Sequence, residues 1–228
     1  ITQNNEEAEG ISVLVVEDNE ELRHFMVNIL RKDYHVIEAE NGKTGLEKIK
    51  SKIPDLVISD IMMPCLDGIE LLEEVKKDYN VSHIPFVLLS AKATLDDRIK
   101  GLEYGADDYI TKPFSSGYLR ARISSLLKQR SILREHFMKE VLPVAVNQDD
   151  ILENLSPSVP QITSYDEDFI HKIIQAVEER LQDSDFKIED LADSMNIGRS
   201  VFYKKVKSIL GVSPIELVKD MRIKRAIQ

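Results

Sequence analysis

Five short apolar runs, each followed by a turn and a helical stretch, constrain the fold of this chain more than any other feature. They are ISVLVV (11–16), YHVIEA (34–39), DLVISD (55–60), IPFVLLS (84–90) and DDYI (107–110). Several are apolar on consecutive residues rather than on alternate ones, which predicts strands covered on both faces, as in a parallel sheet. Between them, residues 20–32 place Leu22, Phe25, Met26, Ile29 and Leu30 at helical spacing, and residues 68–78 offer Ile69, Leu72 and Val75. Alternation of the two element types predicts a doubly wound α/β domain over residues 11–130, preceded by a tail at 1–10.

The character of the chain then changes. Residues 131–140 can continue the last helix, and Pro143, Pro157 and Pro160 stand among acidic and polar residues, so 131–164 reads as a linker. A helical pattern returns at 165–182 with Phe169, Ile170, Ile173, Ile174, Val177 and Leu181. Further helices are predicted at about 188–195, 199–210 and 214–227, punctuated by Gly198 and Gly211, with Pro214 at a helix start. Residues 165–228 therefore form a second, small all-α domain.

Charge is distributed unevenly between these parts. The whole chain carries −10, which argues against nucleic-acid binding over its entire surface. Residues 196–228, however, hold eight Lys and Arg against two acids. A basic end on an acidic protein is either an anion-binding surface or a solvated helix face. The one cysteine, Cys65, excludes a disulfide framework and a Cys-based zinc site. The apolar runs are far shorter than the ~20 residues that span a bilayer. No basic-then-apolar leader opens the sequence, so the expectation is a cytoplasmic fragment without membrane contact.

In an open parallel sheet, ligands bind beyond the carboxyl ends of the strands. Glu17 and Asp18 follow the first run, Asp60 ends the third, Ser90 ends the fourth, and Lys112 follows the fifth. Three carboxylates brought this close resist ionising together unless a cation relieves them. Mg²⁺ suits such oxygen donors, and Lys112 with Ser90 would add a positive charge and a hydroxyl for a phosphoryl group on a carboxylate. Singly, each acid could merely cap the following helix, as Asp18-Asn19-Glu20 could.

The runs VLVVEDN, DLVISDIMMPCLDGIELL and GADDYITKPF resemble the receiver domain of bacterial response regulators over about residues 11–130. The resemblance implies a flavodoxin-like five-stranded sheet in the order 2-1-3-4-5. It implies that Asp60 accepts a phosphoryl group from a histidine kinase. Glu17, Asp18 and Asp60 would hold Mg²⁺ with the main-chain carbonyl of Met62. Glu17 stands where many members have Asp. Ser90, Lys112 and Tyr109 would contact the phosphoryl group or switch with it, and the face at 95–128 would pair with a second copy. The rival class is an Mg²⁺-dependent phosphatase with Asp60 as nucleophile, but the general acid expected two residues later is replaced by Met62.

Residues 188–207, IEDLADSMNIGRSVFYKKVK, have the form of a helix-turn-helix, with Leu191, Ala192, Ile197, Phe202 and Val206 as its shared core. The second helix would present Arg199, Ser200, Tyr203, Lys204 and Lys207 to DNA. With Gly211, Ser213, Pro214, Arg222 and Ala226, the segment resembles the first half of an AraC-type DNA-binding domain. That resemblance implies a second helix-turn-helix in a longer parent. Receiver followed by AraC-type domain is similar to the C-terminal part of hybrid two-component regulators, which carry a histidine kinase upstream. A phosphorelay module without DNA binding is the remaining alternative, and it would leave the basic segment unexplained.

Overall fold

A computed structural model describes residues 10–91, 104–141, 164–180 and 186–227. The expected tail at 1–9, positions 142–163 of the linker and positions 95–103 of the pairing face lie outside them. The chain divides into two compact units, one of residues 1–77 and 84–121, the other of 78–83 and 122–228.

The first unit is a parallel sheet of β1 (Ser12–Val16), β2 (His35–Ala39), β3 (Leu56–Asp60), β4 (Phe86–Ser90) and β5 (Asp108–Thr111) in the order β2-β1-β3-β4-β5. Every residue of β3 and β4 is buried, as is Val13–Val16 of β1, which is why their sequences run apolar without alternation. Val16 lies opposite both Ala39 and Ser59, Asp60 opposite Leu89, and Ser90 opposite Thr111. This register brings the carboxyl ends of the strands level at one edge of the sheet.

Helices α1 (Glu20–Leu30), α2 (Gly42–Lys52) and α3 (Gly68–Lys77) follow β1, β2 and β3 in turn, and α4 (Ser116–Val141) follows β5. The cap of α1 is Asn19, whose side chain accepts from the Leu22 N–H at 2.9 Å, while Glu20 and Glu21 complement the helix dipole. Asp18 is thereby spared the capping role. The stripe that α1 buries is Met26, Val27 and Leu30, and Phe25 is 43% exposed. At 100° per residue, Phe25 and Val27 flank Met26 on opposite sides, and Leu30 falls on the Val27 side, so the buried arc excludes Phe25. Asp67 and Glu70 cap the start of α3 reciprocally: Asp67 Oδ1 accepts from the Ile69 and Glu70 N–H groups at 2.8 Å, and Glu70 accepts from the Asp67 N–H at 3.0 Å. Gly68 approaches the end of β3 so closely that a Cβ there would stand 2.1 Å from the Asp60 carbonyl oxygen. That approach brings the start of α3 back against the end of β3 across the 61–67 loop.

The second unit contains α5 (Ser164–Glu179), α6 (Ile188–Ser194), α7 (Arg199–Leu210) and α8 (Pro214–Ile227). Its core joins Phe169, Ile170, Ile173 and Val177 of α5 to Leu191, Ala192, Ile197, Phe202, Val206 and Leu217. Each fully buried Phe, Leu, Ile or Val among them contributes roughly 1.5–3 kcal/mol. Gly198 stands at the start of α7, where the sequence places the break between the two helices. Gly198 has an ordinary φ of −59°, and the left-handed residue is Asn196 at φ 56°. Asn tolerates that region through its short polar side chain, so the glycine is not what makes the turn possible. Gly211 does adopt a left-handed φ, 77°, and ends α7. Ser213 and Glu216 then cap α8 reciprocally: the Ser213 N–H donates to the Glu216 carboxylate at 2.8 Å, which holds that carboxyl below its usual pKa, and the Glu216 N–H donates to Ser213 Oγ at 3.3 Å. Among the described residues, no helix is long and apolar enough to cross a membrane.

Candidate functional site

The carboxyl edge of the sheet gathers the acids. One carboxylate oxygen from each of Glu17, Asp18 and Asp60 lies within 4.8 Å of the others. Glu17 follows β1 and is 1% exposed, Asp60 ends β3 and is 7% exposed, and Asp18 is open to solvent. The loop at the end of β1 is set by the Glu17 N–H, which donates to the Ala39 carbonyl at 3.1 Å.

Lys112 reaches into this cluster from the end of β5. Its ammonium lies 2.8 Å from Glu17 Oε2 and 2.9 Å from Asp60 Oδ1. The Lys112 N–H donates to the Ser90 carbonyl at 2.7 Å, and the Lys112-Pro113 peptide is cis. Asp60 Oδ1 also accepts from the Ile61 N–H at 2.9 Å. Burial pushes the Glu17 carboxyl above its usual range. The Lys112 hydrogen bond opposes that rise, and the neighbouring Asp60 charge adds to it. A clustered acid that is costly to ionise, partly compensated by one lysine, is a site with room for further positive charge.

Ser90 ends β4 and is 6% exposed, and Tyr109 on the edge strand β5 is 4% exposed. Tyr109 is thus packed inward. Met62 lies in the loop between Asp60 and α3, which is closed by the Gly68 N–H donating to the Ile61 carbonyl at 2.9 Å; its side chain is 69% exposed. Lys112 therefore contacts Glu17 and Asp60 directly and Asp18 stands within 4.8 Å of both acids, while Ser90, Tyr109 and Met62 stand at or beside the same edge.

In the helical unit, α7 exposes Arg199, Ser200, Lys204 and Lys207, with Tyr203 half-buried. Arg199 pairs with Glu189 of α6 at 3.0 Å and lies 5.7 Å from the Tyr203 ring centroid. Lys205, between two exposed lysines, is fully buried. Sequence reading did not single it out, because a lysine in a basic run looks solvated; only its place on the same helical side as Phe202 and Ile209 marks it. Arg23 was missed for the same reason. It is in contact with the acidic loop, yet it sits in a stretch, ELRHFM, that reads as ordinary helix surface.

The sheet order and the acid-and-lysine cluster at its carboxyl edge define a flavodoxin-like α/β module with a charged, cation-ready cleft. Residues 13–124 match the response regulator receiver domain, and this part of the chain is such a domain. The chain is 35% identical over 222 residues to Histidine kinase P4 of Formosa agariphila, an alignment covering 97% of this chain and 15% of that protein. It is 40% identical over 121 residues to the phosphate regulon transcriptional regulatory protein PhoB of Pseudomonas aeruginosa, covering 53% of each. A Chloroflexus aurantiacus protein described as a response regulator has a similar structure, with a TM-score of 0.51 and 30% identity over 53% of this chain and 99% of that one. The chain thus spans a small fraction of the kinase and about half of the regulator.

Proposed function

We propose that this chain is the phosphorylation-controlled transcriptional output of a two-component phosphorelay, with Asp60 as phosphoacceptor. The observation that carries this reading is the Lys112 ammonium held between Glu17 and Asp60, within a cluster of three acids at the carboxyl edge of a receiver sheet. In the transfer, an Asp60 carboxylate oxygen attacks the phosphorus of a phosphohistidine. The N–P bond breaks as the O–P bond forms, and its electron pair returns to the imidazole nitrogen. Lys112 then faces the phosphoryl oxygens, Ser90 offers its hydroxyl, and Tyr109 packs behind. The donor is a histidine kinase, and the relative that matches nearly the whole chain is itself described as one.

The donor set fits Mg²⁺: hard carboxylate oxygens from Glu17, Asp18 and Asp60, with the Met62 carbonyl in the adjoining loop. When bound, the ion supplies positive charge against the transferring phosphoryl oxygens. One weak Mg²⁺ site is expected in calorimetric titration, with binding lost in Asp18→Ala. Unchanged affinity in that variant would refute the metal site.

The output reading assigns residues 165–228 to an AraC-type DNA-binding domain with α7 as recognition helix. Its support is the sequence pattern, the exposed basic face of α7 and the capped start of α8 at Ser213-Pro214. Phosphorylation would act by pairing two copies through residues 95–128, in the cytoplasm where the DNA is. In operator binding, Tyr203→Ala or Lys204→Ala is expected to cost about 1–3 kcal/mol at one base position. Lys207→Ala should weaken all sequences alike and flatten the salt dependence by roughly 0.9 in log–log slope. Binding curves at several salt concentrations check both. Wild-type affinity in both Tyr203→Ala and Lys204→Ala would remove α7 from the interface.

A further inference from the structure

Arg23 connects three elements around the acidic site. It lies in the first turns of α1, and its side chain is 14% exposed. One terminal nitrogen, NH1, donates to the Glu17 carbonyl at 2.7 Å and stands 3.4 Å from the Asp18 carbonyl. On its other edge, Nε faces Glu38 Oε2 on β2 at 3.8 Å. Glu38 is itself held from several sides. Arg31, the residue that ends α1, donates to its Oε1 at 2.9 Å, and the Lys48 ammonium of α2 donates to its main-chain oxygen. The fork of the guanidinium thus lies across the gap between β2 and the two consecutive residues that present Glu17 and Asp18.

From this geometry we infer that Arg23 is the positioning residue of the cation site, fixing the main chain at 17–18 so that both carboxylates stand at ligand spacing. The inference rests on the metal reading of the cluster. Two features favour positioning over a general effect of charge. The contacts go to main-chain carbonyls, which set where the side chains leave the loop. A guanidinium beside a cation site also repels the cation, so its charge alone can only weaken binding. A planar fork meets several acceptors in fixed directions, which an ammonium on a flexible stem does not reproduce.

The test compares Arg23→Lys, which keeps the charge and loses the fork, with Arg23→Met, which loses both. Mg²⁺ affinity is read by calorimetry, and amide hydrogen exchange at residues 17–19 is read by mass spectrometry on the metal-free chain. Supporting groups behind metal ligands are typically worth 10–100-fold in affinity. Arg23→Lys is expected to weaken Mg²⁺ binding by about tenfold. Arg23→Met should weaken it at least as much, although a repelling charge has gone. Exchange at 17–19 should rise in both, while exchange in β3 and β4 stays as in the wild type. Wild-type affinity in Arg23→Lys, or tighter binding in Arg23→Met, overturns the inference. Should Arg23→Met fail to fold, the charge-conserving lysine variant decides alone. A wild-type chain that binds no divalent ion would sink the metal reading instead. In that case the tether is judged by exchange: unchanged exchange at 17–19 in Arg23→Lys overturns it.

Discussion

Asp60→Asn is expected to reduce phosphoryl labelling by acetyl phosphate and Mg²⁺ from one group per chain to none. Asn has nearly the shape of Asp and can still accept from the Ile61 N–H, so the sheet edge stays intact. It lacks the negative charge and the nucleophilic carboxylate, and removing a nucleophile abolishes the covalent step rather than slowing it modestly. Glu17 and Asp18 are the rival acceptors within the cluster. Glu17 is almost fully buried against Lys112, and both would be occupied in holding the cation. Intact mass spectrometry reads the result directly. Equal labelling of wild type and Asp60→Asn would move the acceptor elsewhere and remove the basis of the proposed function.

Asp166→Asn is expected to destabilise the helical unit by about 3–5 kcal/mol, the usual cost of leaving one member of a buried pair uncompensated. Asp166 of α5 lies 3.6 Å from the fully buried Lys205 of α7. The ammonium also lies 4.7 Å from the Phe169 ring centroid and 4.0 Å from that of Tyr79, a residue of the same unit whose carbonyl accepts its hydrogen bond. Burial lowers the Lys205 pKa below 10.5, and Asp166 pulls it back up. Between the lowered folded value and 10.5, the unfolded chain binds more protons, so this group's contribution to stability rises with pH across that window. Without the Asp166 charge the folded value drops further and the window widens downward. Part of the loss at neutral pH should therefore be regained on the alkaline side. Replacing the pair together, Asp166→Leu with Lys205→Met, should recover most of the stability, because two apolar groups leave no buried charge. Hydrogen exchange in α7 of the intact chain measures both variants. A loss under about 1 kcal/mol in Asp166→Asn would show the pair to be incidental.

Much of the architecture was legible because it rests on burial. β1, β3 and β4 are covered on both faces, and their unbroken apolar runs declare it. Glu17, Asp18, Asp60 and Lys112 were legible because chemistry placed at strand ends can only converge. What escaped reading was decided by tertiary direction. Phe25 looks like core by composition and falls outside the buried arc of α1. Lys205 looks like surface by composition and is fully buried within the helical unit. The left-handed residue of the α6–α7 turn is Asn196, which the spacing of the glycines does not mark. Arg23 was hidden because its acceptors are main-chain carbonyls, which no side-chain pattern records.

The loop between Asp60 and α3 also carries the chain's one thiol. Cys65 is exposed and holds a left-handed φ of 71°, five residues beyond Asp60. A spectroscopic label coupled to sulfur would therefore attach at a single address with no prior mutagenesis. Such a reporter leaves the acids and Lys112 chemically intact. A spin or fluorescent probe there would follow, in real time, whatever rearrangement the cleft undergoes as its charge changes.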